Sequence, residues 1–290
     1  VDIEANAVPQ TMEAGLYVVA TPIGNLRDIT LRALDVLMAA DLILCEDTRI
    51  TRRLAARYGL KATLTAYHEH NAHVVGPEAV ARIQAGGRVA LVSDAGTPLI
   101  SDPGGRLVAD VVAAGLPVIP IPGPSAPLAA LVASGLPAAR FLFAGFLPDK
   151  TTARRKELQD LTGVPATLVF FESPKRLGAA LADMAAVLGP RPAAVCRELT
   201  KTFEEVRRGS LADLAESYDG AEVKGEIVIV VAPPLPKTEA ERVADLDDLL
   251  ADALGRGSLA DAVREVVSAT GLPRRQVYDR ALTLADKRRS

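Results

Sequence analysis

The sequence predicts two α/β domains followed by a small helical module, and three observations carry that expectation. From Gly15 onward short apolar runs alternate with longer stretches of helical spacing, separated by Gly, Pro or Asp, the pattern of a mostly parallel sheet. All six Phe lie between Phe141 and Phe203, which implies a second core there. After Val231 the chain reads APPLPK, a spacer that cannot extend a strand because proline lacks the amide donor. A length of 290 residues also exceeds the size at which a single core stops growing.

Residues 1–14 are polar and acidic, without the basic and apolar regions of a signal peptide, so secretion is not expected. Strands are expected at residues 16–20, 42–45, 63–66, 89–92 and 118–120. Each is a continuous apolar run bounded by turn residues, as in strands buried on both faces. Helical spacing occupies residues 30–39, 48–58, 77–85 and 103–114, several opened by Pro or a capping Thr. These elements make a first domain over residues 15–122. Residues 121–137 open with a Gly/Pro turn and continue as a small-residue helix, the expected joint between the domains. The second domain, residues 123–233, reads as strands at 141–145, 167–171, 193–197, 203–208 and 226–231 with a helix at 174–188. Between its last two strands lies only one further segment, residues 210–218, which suggests antiparallel pairing somewhere in this sheet. A Pro-rich linker at 234–238 leads to a module at 239–290, with helices at 238–254, 258–270 and 273–286. Breaks at Gly255, Gly257 and Gly271, with Ser258 and Pro273 as helix openers, give a spacing like a helix-turn-helix.

Composition excludes several classes. With 49% hydrophobic and 24% charged residues this is an ordinary globular chain, and no apolar run approaches the roughly 18 residues of a membrane span. Cys45 and Cys196 are too few for a disulfide framework or a thiolate metal site, which fits a reducing, cytoplasmic setting. A net charge of -3 excludes a uniformly basic nucleic-acid binder but permits a local basic patch. The dinucleotide fingerprint, the Walker A loop and the E-x-G-x-G glycine cluster of the commoner methyltransferases are all missing.

Chemistry concentrates in loops after strands. VALVSDAGTPLISDPGG, residues 89–105, runs from a strand into a loop dense in Asp, Gly and Pro. There Gly96 and the Pro98 turn let backbone approach a ligand, and Asp94 and Asp102 offer acceptors. Asp102 itself is expected to cap the helix opened by Pro103. The second strand delivers Glu46, Asp47, Thr48 and Arg49, and the next helix carries Arg49, Arg52, Arg53 and Arg57 on one face. That stripe reads equally as phosphate contact or as solvated surface. His68, His70 and His73 are all the histidine of the chain, with Glu69 between the first two. Alternation in H-E-H sends neighbours to opposite sides, so a substrate-facing or surface loop is expected in place of a metal site. From Arg264 onward there are 7 basic and 3 acidic residues, a second basic patch.

Eight segments in order, TPIGNLRDITLRAL, CEDTR, HEHN, LVSDAGTPLISDPG, PGPSA, FFESPKR, RELTK and KGEIVIVV, closely resemble the ribosomal RNA small subunit methyltransferase I family of the tetrapyrrole-methylase superfamily. The resemblance covers residues 15–233, and the helical tail is similar to that family's C-terminal module. It implies two α/β domains of the class III methyltransferase type that bind S-adenosylmethionine in the cleft between them. It further implies 2'-O-methylation of a cytidine ribose in the decoding region of 16S ribosomal RNA, in the small ribosomal subunit. Carried over by motif, the donor contacts are Pro22, then Asp94, Ala95, Gly96, Thr97 and Ile100, then Ser125 and Ala126. Thr97 stands where many superfamily members have Asp, so a hydroxyl or backbone contact replaces a charged one.

A sulfonium donor carries its own leaving group, so no metal is required, whereas a ribose hydroxyl is a weak nucleophile and needs a proton acceptor or an orienting group. The strand-end carboxylates Glu46, Asp47, Glu172 and Glu198 are the candidates, with Arg49 and Lys201 beside them. Arg49, Arg52, Arg53, Arg57, Arg197, Arg274 and Arg275 are the candidates for RNA contact. Ion pairs and caps that shape the cleft are the competing reading for each. A homodimer is expected from the resemblance and from the Ala-rich apolar helices. Two other functions stay open: C-methylation of a tetrapyrrole on the same fold, and a non-catalytic RNA-binding assembly factor.

Overall fold

The computed structural model describes residues 12–235 and 239–289, so most of the expected N-terminal tail and positions 236–238 of the expected linker lie outside the described residues. The chain divides into two compact units, Val1–Pro234 and Leu235–Ser290.

The first unit opens with a doubly wound parallel sheet. Its elements are β1 (Gly15–Val19), α1 (Leu31–Ala39), β2 (Leu42–Cys45), α2 (Thr48–Tyr58), β3 (Thr63–Ala66), α3 (Ala72–Gln84), β4 (Arg88–Val92), α4 (Gly105–Ala113) and β5 (Val118–Ile121). The strand order is β3-β2-β4-β1-β5, every pair parallel. Of the apolar runs read as two-sided strands, the inner strands β1, β2 and β4 are so buried, whereas the edge strands β3 and β5 are largely not: Val19, Ile43 and Ala90 face a core with α1 and α2, while Leu16, Leu44 and Leu91 face one with α3 and α4. Thr30 caps α1 through its side chain, which accepts from the Ala33 amide at 3.1 Å, as its place before an apolar-periodic stretch foretells.

The same unit continues with α5 (Ala126–Ser134), β6 (Phe141–Phe146), α6 (Thr151–Leu161), β7 (Thr167–Glu172), α7 (Leu177–Leu188), β8 (Pro192–Arg197), β9 (Glu205–Ser210), α8 (Leu211–Ser217) and β10 (Ile227–Val231). This second sheet has the order β6-β7-β10-β8-β9, parallel between β6 and β7 and antiparallel elsewhere. Antiparallel pairing is thus present, but β9 and β10 do not pair with each other. Both flank β8, because β10 enters the sheet centre, where its unbroken IVIVV run is buried on both faces. One face packs on α6, α7 and α8 and the other on α5. Ile23, from the loop after β1, joins Ala130 and Leu131 of α5 and Val169, Cys196 and Val228 of the second sheet in one cluster, so that loop is packed into the second sheet's core.

Three sequence expectations are corrected and one element is added. α3 begins at Ala72, five residues before the expected start, with Pro77 inside it, because Asn71 closes the loop by accepting from the His68 amide (2.9 Å) and donating to the Ala66 carbonyl (2.8 Å). Asp102 caps nothing: α4 starts at Gly105 after Gly104, whose φ of +129° places the turn beyond Pro103. β9 begins at Glu205, and Phe203 lies in the preceding turn, 71% exposed. α6 adds to the expected elements, since TTARRKELQDL places an arginine at a core-facing position. Arg154 is buried there and paired with buried Asp183 of α7, Nε donating to Oδ2 at 2.7 Å, while Arg155 Nε donates to Oδ1 at 2.6 Å. Asp183→Asn is expected to destabilise the chain by about 3–5 kcal/mol, because it leaves the Arg154 cation buried without a counter-charge. Urea unfolding of the variant beside the parent protein measures that difference.

The second unit is a three-helix cluster of α9 (Glu239–Arg256), α10 (Leu259–Thr270) and α11 (Arg274–Arg289), packed through Leu246, Leu250, Val263, Val266, Val277 and Ala281. Ser258 accepts from the Asp261 amide at 3.3 Å and Gly271 ends α10 at φ +69°, as expected, whereas Gly255 breaks nothing, because α9 continues through it to Arg256.

Candidate active site

Strand order places β1 between β4 and β5, so the loops that leave their carboxyl ends are neighbours, where ligands of open α/β sheets bind. The chain ties them together. Thr21 and Gly96 exchange backbone hydrogen bonds of 2.8 and 3.0 Å, Ser93 Oγ donates to the Gly96 carbonyl at 3.0 Å, and Thr97 Oγ1 donates to the Pro124 carbonyl at 3.1 Å. Gly96 occupies φ +86°, and a Cβ there would meet Ile23 Cγ2 at 3.3 Å. Non-glycine residues in left-handed conformations, Leu99 at φ +73° and Ser101 at +61°, continue the loop, a concentration of backbone strain typical of functional sites.

These loops form one wall of a cavity of about 390 Å³, a size suited to a small ligand. Ala95, Gly96, Thr97, Ile100, Ser125 and Ala126 line it, as do Phe146, Phe171, Glu172, Val228 and Glu226 of the second sheet and its loops. Six of the eight expected donor-binding residues are therefore together. The other two, Pro22 and Asp94, line an adjoining cavity of about 320 Å³ with Arg53, Ser93 and Lys201. Ile23, Ala95 and Glu226 belong to both cavities.

The carboxylates separate by environment. Asp94, Glu46 and Asp102 gather at the ends of β2 and β4, and burial raises each above its ordinary range, aided by repulsion from Asp47 at Asp94 and from Asp94 and Asp47 at Glu46. Asp102, in the first cavity, is pushed up to about 6 by burial and by Glu46 and Asp94, a hydrogen bond with Ser93 partly opposing them. Asp47 behaves oppositely. Arg49 grips it through Nε at 3.0 Å and a terminal nitrogen at 2.6 Å and holds it down to about 2, so its oxygens are engaged. The Asp47 amide also donates to Asp94 at 3.0 Å. Glu198 is lowered by Lys201, whose Nζ donates to its Oε1 at 2.8 Å and lies 3.2 Å from Glu226. Glu198 and Thr200 sit at φ +51° and +66°, and the Thr200 hydroxyl accepts from the Asn25 amide at 3.1 Å, which fixes this loop against the one after β1. Glu172 is buried at the end of β7 and ion-paired with Arg176.

Arg49, Arg52, Arg53 and Arg57 line α2 away from buried Thr51 and Leu54, and Arg53 reaches the second cavity. Arg197 is occupied by Glu205 at 3.1 Å. In the helical unit Arg274 and Arg275 are exposed, and Arg264 and Arg280 are engaged by Asp261 and Asp247. His68 is half-buried, and His70 and His73 are exposed. Among the described residues no group of three or more His, Cys, Asp or Glu is arranged to hold a metal ion. Nor, among the described residues, is any helix long and apolar enough to cross a membrane. Sequence reasoning assigns Asp102 to a helix cap and misses Ser101, Phe146 and Phe171 as cavity residues. The repeated Ser-Asp pair of the β4 loop, residues 93–94 and 101–102, is the available signal for Asp102.

Residues 15–215 match the family model for tetrapyrrole (corrin/porphyrin) methylases, so fold and site together define the class as that of tetrapyrrole methylases. Residues 240–285 match the RsmI C-terminal HTH domain. Ribosomal RNA small subunit methyltransferase I of Mesorhizobium japonicum is 54% identical over 95% of this chain and 94% of that protein. Its counterpart in Micromonospora olivasterospora is 47% identical over 95% and 90%. The chain belongs to the ribosomal RNA small subunit methyltransferase I family. Uroporphyrin-III C-methyltransferase from Thermus thermophilus, solved in complex with S-adenyl homocysteine, is 22% identical with a TM-score of 0.54 over 79% of this chain and 99% of that one, a likeness of fold alone.

Proposed function

We propose that this protein transfers a methyl group from S-adenosylmethionine to the ribose 2'-oxygen of a cytidine in the decoding region of 16S ribosomal RNA, acting on the small ribosomal subunit in the cytoplasm. The observation that carries this reading is the first cavity, built from three tied loops of the parallel sheet and closed by the second sheet. Its residues fit the donor: backbone is bared at Gly96, hydroxyls stand at Thr97 and Ser125, and the aromatic walls at Phe146 and Phe171 suit a purine. When bound, S-adenosylmethionine supplies an electrophilic methyl group on a sulfonium. No metal enters the proposal. Calorimetric titration with S-adenosylmethionine tests the reading against a non-catalytic RNA-binding factor, which has no affinity for it.

Asp102 is the proposed proton acceptor. Ionised at neutral pH yet basic for a carboxylate at about 6, it is suited to take the proton of a ribose hydroxyl. Asp47 and Glu198 are structural in this reading because Arg49 and Lys201 occupy them. Glu46 and Asp94 act through Asp102 by keeping its basicity high.

Arg53, which lines the second cavity, its exposed neighbour Arg52, and the basic end of the helical unit from Arg264 onward hold RNA phosphates in this proposal. Charge reversal of both arginines is expected to spare donor affinity and weaken subunit binding. For every phosphate that the variant no longer neutralises, the log–log salt slope of binding becomes shallower by about 0.7–0.9. An unchanged slope across a salt series would make the stripe plain solvated surface. The basic stripe and the added helical unit favour RNA over a macrocycle as acceptor.

The proposal includes a homodimer. Val132 of α5 is 81% exposed, Leu128 lies one turn before it, and the edge strand β6 leaves Phe141, Leu142 and Phe146 exposed. Light scattering at micromolar protein is expected to give twice the chain mass of 30.5 kDa, and a particle of one chain mass contradicts it.

A further inference from the structure

β7 ends in the wall of the first cavity at Glu172, which is 3% exposed. Its carboxyl is used on one side only. Oε1 accepts from the Ser173 amide at 2.6 Å and from Arg176 Nε at 2.7 Å, with a terminal nitrogen of Arg176 also at 2.6 Å. Oε2 is buried and has no hydrogen-bond partner. Burial raises Glu172 above the usual carboxylate range, with the Ser173 amide and Arg154 opposing it. A buried acceptor left unmatched weakens a fold, and one retained in a cavity wall calls for a donor that arrives with a ligand.

The cavity has two kinds of surface. With Glu172 the lining includes Phe146 and Phe171, their ring centroids 5.4 Å apart and the rings tilted to each other, together with Pro174 and Ile227, an apolar stretch. The loops after β4 and β5 contribute the polar Thr97, Asp102 and Ser125. S-adenosylmethionine is divided in the same way, into a flat nucleoside and a charged amino-acid half.

We propose that Glu172 Oε2 accepts a hydrogen bond from an N–H or O–H of the nucleoside half of the donor. Glu172 is then a donor-binding residue, removed from the set of possible proton acceptors. The inference rests on the donor reading above.

Glu172→Gln tests it. The amide keeps an acceptor toward Ser173 and Arg176 and turns the second position from acceptor into donor. Calorimetry is expected to show affinity for S-adenosylhomocysteine and for methylthioadenosine, which lacks the amino-acid half, reduced by a common factor of ten or more. Unchanged affinities, or a loss confined to S-adenosylhomocysteine, overturn the proposal. In the unaltered protein, methylated or deoxygenated analogues of methylthioadenosine at the purine amine or the ribose hydroxyls give an independent check. At least one is expected to bind tenfold more weakly, and equal binding of all overturns the proposal without reference to the variant's folding. If the unaltered protein binds neither parent ligand, the donor reading itself fails, and this inference with it.

Discussion

Gly96→Trp is expected to abolish S-adenosylmethionine binding while the chain remains folded. Gly96 lies at φ +86°, in the backbone bridge that joins the loops after β1 and β4, and a Cβ there already meets Ile23 at 3.3 Å. An indole at that point has only the cavity to enter. A non-glycine residue in the left-handed region costs about 1–2 kcal/mol, which lowers the melting temperature without unfolding a chain whose sheets each carry packed cores on both faces. Calorimetry with the donor, together with circular dichroism, separates the two effects. Donor affinity equal to that of the unaltered protein in a folded variant would remove the first cavity from consideration as the donor site.

Asp102→Asn is expected to lower kcat by roughly a hundredfold or more with little change in donor affinity, the usual scale for losing a general base. In the unaltered protein the rate should rise with pH and level off above about 6, as Asp102 loses its proton. The variant should lack that limb. Stability should move the other way. Because the folded state holds the Asp102 proton more tightly than the unfolded chain, stability falls as pH rises from the ordinary carboxylate value of 3.8 towards about 6. The asparagine variant escapes that loss and should melt at a higher temperature than the parent at pH 7. A variant that is slower and also less stable at neutral pH would mean that Asp102 holds structure, and that the proton goes elsewhere.

Much of the fold is legible in the amino-acid sequence because parallel strands buried on both faces are continuous apolar runs. β2 falls at its expected bounds for that reason, α2 follows its helical spacing, β3 is found where expected although it is an exposed edge strand, and Thr30 and Ser258 cap where a hydroxyl precedes an apolar period. What stays illegible depends on partners distant in the chain. Nothing in the sequence marks Arg154 as a core residue, because its neutralising partner, Asp183, lies 29 positions later. Asp102 reads as a helix cap until the left-handed turns at Leu99 and Ser101 carry it into the cavity, and neither residue type announces such a conformation. The donor loops are visible as Gly, Pro and Asp clusters. The aromatic wall opposite them is not, because Phe146 and Phe171 reach the cavity from neighbouring strands of another sheet.

Methyl transfer from labelled S-adenosylmethionine to small ribosomal subunits that lack the modification, followed by mapping of the label, tests the central claim most directly. The predicted result is label on the ribose 2'-oxygen of a cytidine in the decoding region, abolished by Gly96→Trp. Absence of label from 16S RNA, or label on a base instead of a ribose, would contradict it.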